Sequence, residues 1–205
     1  MLGNTMKLPW WRGKYVLWLF LMLPGLLLSI GTLSSGKMNY KAMMHVTGEL
    51  SGRFLLFSLI ATPLIIIFPR YKFPKWLVRN KRYFGVAAFA YALYHTIIYL
   101  IEVPVNQVTK EFFDFSLITG WIAFIIWIPM VITSTDAWVK TLKRKAWKKI
   151  HNWGYLAALL AYLHWAFIHN HFIPALVHCV PVLLLQGYRW KKVFFGRKPQ
   201  KVNNN

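Results

Sequence analysis

Residues 148–171 read KKIHNWGYLAALLAYLHWAFIHNH: two lysines, an apolar run over about 152–168 that carries one imidazole, His164, and then His169, Asn170 and His171. A second apolar run follows at once, at about 172–188, so no long loop fits between them and the pair reads as a tight helical hairpin. Such runs match the hydrocarbon core of a bilayer, about 30 Å or roughly 20 helical residues. Working outward, four more occur at about 15–34, 46–68, 83–101 and 116–135. The chain has 205 residues, 57% of them hydrophobic and 18% aromatic, with mean hydropathy +0.41, too apolar for an ordinary soluble domain of that size. The expected fold is all-α: one domain, a polytopic bundle of six transmembrane helices.

Charge sets the expected orientation. A net charge of +20 would suit nucleic-acid binding if it covered a soluble face, but it comes in blocks between apolar runs, which excludes that class. Lys and Arg crowd the N-terminus, the loop around 70–82, the loop around 140–149 and the tail from Arg189. On the other side stand only Lys37, Lys41 and Lys110, with Arg53 inside the second run. By the positive-inside rule both termini are cytoplasmic, with short basic tails flanking the core. Glu102, Glu111 and Asp114 all fall in one outward loop, consistent with this.

The first run has the basic-then-apolar order of a signal peptide, but it lacks an Ala-x-Ala site and is long enough to span, so it is expected to be a membrane helix. The single cysteine, Cys179, excludes an internal disulfide and a thiolate metal cluster. Between the fourth and fifth runs, Trp138, Leu142, Ala146 and Ile150 recur every four residues among lysines. That stripe fits one interfacial helix on anionic membrane lipid, with Ser134, Thr135 or Asp136 as its cap, and equally a solvated basic loop that only fixes topology.

The candidate functional residues are histidines ranked by depth. If the third run enters just after Arg82, His95 lies about 12 residues in, or ~18 Å, and His164 reaches nearly the same level on the fifth. Intramembrane ionisable residues are costly and by default functional. Two neutral imidazoles at one level suit the axial positions of a b-type haem, a six-coordinate arrangement that favours electron transfer over ligand chemistry; the competing reading is that each histidine only hydrogen-bonds a neighbouring helix. His151 sits ~20 Å below His164 and roughly 140° round an ideal helix from it. Its level on the third helix is occupied by Arg82, so a second haem is undersupplied with ligands, and an inner quinone or flavin contact is the competing role. Arg53, about level with His95 and His164, is a candidate partner for a haem propionate, for Glu49 four residues away, or for both. His45 is shallower and suits a propionate or rim position. His169 and His171 fall in an outward turn, and His178 reads as a packing residue.

Several segments in one order carry a resemblance: HVTG at 45–48, TPL at 62–64, KRYFGVAAFAYALYH at 81–95, TSTDAW at 133–138 and WKKIHNWGYLAALLAYLHW at 147–165. Over about 43–190 the chain resembles the haem-binding membrane subunits of the periplasmic protein-methionine-sulfoxide reductase system, the MsrQ/YedZ family, within the wider ferric-reductase-like transmembrane group. The resemblance implies an inner-membrane cytochrome of bacteria that takes electrons from the quinone pool. It passes them through haem b to a periplasmic molybdopterin-containing catalytic subunit, which repairs methionine sulfoxide in oxidised proteins. It also implies haem ligation at His95, His151 and His164, and a bound FMN. The chain departs from the family at FFDFS (112–116) and AFIHNHF (166–172), both on the face expected to meet the catalytic subunit. Two other readings stand beside this one: a related membrane cytochrome with another periplasmic acceptor, and a haem-free scaffold or transporter, for which Pro24 and Pro63 hint at broken helices.

Overall fold

In hydrocarbon every backbone N–H and C=O must find a partner within the protein, and a helix does this within one segment. The computed structural model, which describes residues 10–34, 39–168 and 172–195, contains helices and no strands among those residues. In chain order they are α1 (Trp10–Ser34), α2 (Tyr40–Ile67), α3 (Lys72–Glu102), α4 (Val105–Glu111), α5 (Phe115–Ile132), α6 (Asp136–Thr141), α7 (Lys143–Asn152), α8 (Gly154–Ile168) and α9 (Phe172–Phe195). The expected positions of Lys37, His169, His171 and the two tails lie outside the described residues.

Five of these helices, α1, α2, α3, α5 and α9, are long and apolar enough to cross a membrane. The predicted fifth span, α8, has 15 residues, about 22 Å at the helical rise. It runs antiparallel along α5 for that whole length: Gly154 lies at Met130, His164 at Ser116 and Phe167 at Phe115.

Two segments differ from the sequence expectation. Most of the predicted 69–82 loop is the first turns of α3. Pro74 sits in the opening turn of that helix, where a missing N–H costs no helical bond, so nothing interrupts it before Pro104. There Val103, the residue before proline, is extended (φ −92°, ψ 123°) and ends the helix. The predicted single surface helix is two, α6 and α7, broken at Lys143 with φ 54°. The turn brings Trp147 back under α5, where its indole N–H donates to the Thr133 carbonyl at 3.1 Å, satisfying an orphan acceptor at that helix end. Thr135 caps α6, its side chain accepting from Trp138 N–H.

The prolines inside the spans fix neighbours in place. Pro63 cannot donate to the Leu59 carbonyl, and the Gln186 side chain of α9 does so at 2.9 Å while itself buried. In α1, just after Pro24, the Tyr91 hydroxyl of α3 inserts into the backbone ladder. It accepts from Gly25 N–H at 2.8 Å and donates to the Leu21 carbonyl at 3.0 Å, the two groups an unbroken helix would join. A Cβ at Gly25 would meet that hydroxyl at 2.9 Å, so the approach requires glycine. Tyr91→Phe strands both backbone groups and is expected to cost about 1–3 kcal/mol. Thermal unfolding in detergent measures it, and an unchanged midpoint would show that the inserted hydroxyl does not hold α1.

Candidate functional site

The central feature is a largely apolar cavity of ≈ 530 Å³ between α2, α3, α5 and α8, within the roughly 300–1,000 Å³ range of cofactor sites. His95 and His164 both line it, their ring centroids 6.4 Å apart and their planes 82° to one another. The sequence placed these two rings at one level, and the fold brings them together from different helices.

Each ring is seated by the same device. His95 Nδ1 lies 2.8 Å from the Met44 carbonyl of α2, and His164 Nδ1 lies 2.7 Å from the Ser116 carbonyl of α5. Three residues on from each carbonyl a buried threonine donates its hydroxyl to the same oxygen: Thr47 at 3.1 Å and Thr119 at 2.8 Å. One residue further a glycine leaves the ring room. A Cβ at Gly48 would stand 3.2 Å from His95 Nδ1, and one at Gly120 would stand 2.8 Å from His164 Nδ1. A carbonyl can only accept, so each Nδ1 carries the proton and Nε2 carries the ring's lone pair. That is the tautomer in which histidine ligates a metal through Nε2 with its other nitrogen braced.

The residues fit a bis-imidazole haem. Both Nε2 lone pairs are left to ligate a metal, on rings 6.4 Å apart across one cavity, and two such histidines would hold a haem iron between them. Two polar atoms in the cavity wall, Tyr99 Oη and Trp121 Nε1, are buried with no hydrogen-bond partner among the described residues, as expected where a polar ligand belongs. Gly52 makes further room, since a Cβ there would come within 2.9 Å of the Trp165 ring.

The other sequence candidates fall elsewhere. Arg53 donates to Glu49 at 2.6 Å, the i,i+4 pair expected of it, and is not among the residues that line the cavity. His45 lies at the cavity edge, half-exposed, with Nε2 3.5 Å from the same Glu49. His151 is apart from both central histidines, in α7. It stacks on Trp147 at 3.8 Å, has Nδ1 3.0 Å from the Trp147 carbonyl, and has Nε2 3.3 Å from the Ser134 hydroxyl at the end of α5. Burial pushes its imidazole below the usual histidine range, and the charges of Lys81 and Arg82 act in the same direction, so the ring is neutral at pH 7. His178 packs against Trp165 with centroids 4.9 Å apart.

Sequence reasoning missed Gly48, Gly120, Tyr99 and Trp121. A signal was present for the glycines: the dipeptide Thr-Gly occurs at 47–48 and again at 119–120, each on the helix that precedes a central histidine. Residues 47–162 match the family model described as ferric reductase like transmembrane component. No solved structure matches the chain.

Proposed function

The chain belongs to the ferric-reductase-like transmembrane family, a multi-pass membrane protein of the electron-transfer type, and on that premise we propose that it is a b-type cytochrome subunit. The observation that carries the reading is the matched seating of His95 and His164, 6.4 Å apart across one cavity. These two would hold the iron axially, the Met44 and Ser116 carbonyls would fix their tautomers, and the apolar wall would keep bulk water out. Haem b bound there would supply one-electron transfer.

The bundle crosses the membrane six times, with α8 as the fifth crossing beside α5 and both termini on the basic side. Supporting this, Lys14 of α1 and Arg82 of α3 both pair with Asp136 of α6, so the N-terminal part of α1 and the N-terminal third of α3 lie at the same end as the basic α6–α7 segment. At that end the His151–Trp147 stack offers a surface for a quinone or, as the family resemblance implies, FMN. Electrons run from the quinone pool through the cavity to a periplasmic molybdopterin methionine sulfoxide reductase, in a bacterial inner membrane. The alternative acceptor, another periplasmic reductase partner, is favoured by the departure at FFDFS, where Phe113 and Phe115 are exposed.

An absorption spectrum of the purified chain with and without dithionite tests the core of the reading. Reduced b-type bands are expected, and their absence from protein made in haem-replete cells would rule out a cytochrome. Reoxidation of the reduced chain by the purified molybdopterin subunit, against no reoxidation by ferric citrate, separates the two acceptors.

A further inference from the structure

The cavity holds two donors that its own walls leave unanswered. Tyr99 Oη–H of α3 and Trp121 Nε1–H of α5 are buried to the atom and have no acceptor among the described residues, yet both line the space flanked by His95 and His164. Their rings meet at 69° with centroids 6.3 Å apart, so the two donors belong to one stretch of wall although they come from different helices. Tyr99 stands one helical turn, about 6 Å, beyond His95 toward the end of α3. Buried donors are left unpaired only at a cost. Whatever fills the cavity therefore brings an acceptor oxygen to this wall.

The charges around it favour an anionic oxygen over a neutral one. Lys41 of α2 lines the same cavity. Its one lining carboxylate, Glu49, is already paired with Arg53 and lies beside His45. Glu111 and Asp114, whose charges reach Tyr99, stand outside the cavity; Glu111 accepts from Gln107, and Asp114 is exposed at the start of α5. Tyr162 of α8, the remaining phenol in the lining, is turned to the Gly52 carbonyl.

We propose that Tyr99 and Trp121 are the carboxylate-binding pair of this cavity, donating to a propionate of the haem held by His95 and His164. The inference rests on the haem reading above and adds to it where the porphyrin acid groups lie. The pair partly offsets the carboxylate's charge. Without it the iron feels more negative charge, which favours the ferric state because that state carries one more positive charge than the ferrous.

Tyr99→Phe and Trp121→Phe keep both rings and remove only the donors. In the full chain loaded with haem, each is expected to retain b-type bands and to move the ferric-to-ferrous ratio about threefold toward ferric. The double variant is expected to move it about tenfold, which for one electron lowers the midpoint potential by about 59 mV. Loading with haem dimethyl ester, which has no carboxylates, should abolish the difference between variants and wild type. Unchanged midpoints in both single variants, or the same shift with the ester, would overturn the assignment. So would a raised KM for quinol at unchanged midpoint, because that would give the donors to a quinone carbonyl. Should Tyr99→Phe lose haem, weaker loading of natural haem alone supports the pair and equal weakening with the ester refutes it. Absence of b-type bands from the wild type is a separate result and removes the haem reading itself.

Discussion

His95→Ala and His164→Ala are each expected to abolish the b-type absorption of the purified chain, whereas His151→Ala keeps most of it. The contrast follows from where the three rings sit. His95 and His164 line one cavity 6.4 Å apart, each braced through Nδ1 by a carbonyl of a neighbouring helix. His151 is engaged by Trp147 and Ser134 at the end of α5, away from that cavity. On the proposed haem reading, removing either imidazole would leave one protein ligand and a void of side-chain size. Added imidazole should therefore restore part of the band in His164→Ala, a rescue that a purely packing histidine would not show. Equal loss in all three variants would mean that His151 also ligates, and that the separation of α7 from α8 does not hold in the loaded protein.

How much of this was legible beforehand depended on the range of the interaction. Helix content and the level of His95 and His164 follow from apolar run length and a fixed rise per residue, quantities local to one segment. The break at Lys143 was hidden, because the stripe Trp138, Leu142, Ala146 and Ile150 satisfies a continuous helix locally. The turn there carries Trp147 to the Thr133 carbonyl, a contact fourteen residues back that the stripe does not show. Arg53 was ambiguous for a related reason: a guanidinium in lipid needs a negative partner, and sequence cannot choose between a ligand and a carboxylate one turn away. The structure shows the pair with the carboxylate, Arg53 on Glu49. The helical hairpin read from the opening stretch turns on residues 169–171, which lie outside the described residues. What the sequence withheld most completely was the wall opposite each histidine. Glycine, threonine and a backbone carbonyl carry no chemical signature on their own, and their meaning appears only when an imidazole from a distant helix is laid across them.

That wall gives the second large effect. Gly120→Ala is expected to weaken haem binding far more than Gly48→Ala, though both exchange a hydrogen for a methyl group. At Gly120 the added Cβ would stand 2.8 Å from His164 Nδ1, 3.0 Å from Cε1 and 3.1 Å from Cγ, so it meets one whole edge of the imidazole. The ring cannot slide away without leaving the Ser116 carbonyl, to which it is held at 2.7 Å. At Gly48 the nearest approach is 3.2 Å, which a shift of a few tenths of an ångström relieves while the bond to Met44 lengthens only slightly. Overpacking of this kind costs about 1–3 kcal/mol, so Gly120→Ala should lose on the order of 10- to 100-fold in haem affinity if the strain falls on the loaded state. Gly48→Ala should lose less than about tenfold, since its tight contact at 3.2 Å is eased by a few tenths of an ångström. Haem content at fixed supply, together with the ferric spectrum, measures both. Equal affinities in the two variants would show that the Ser116 carbonyl does not hold His164 in the loaded protein. The asymmetry is specific to these two backbones, because the same Thr-Gly device is built slightly tighter on α5 than on α2.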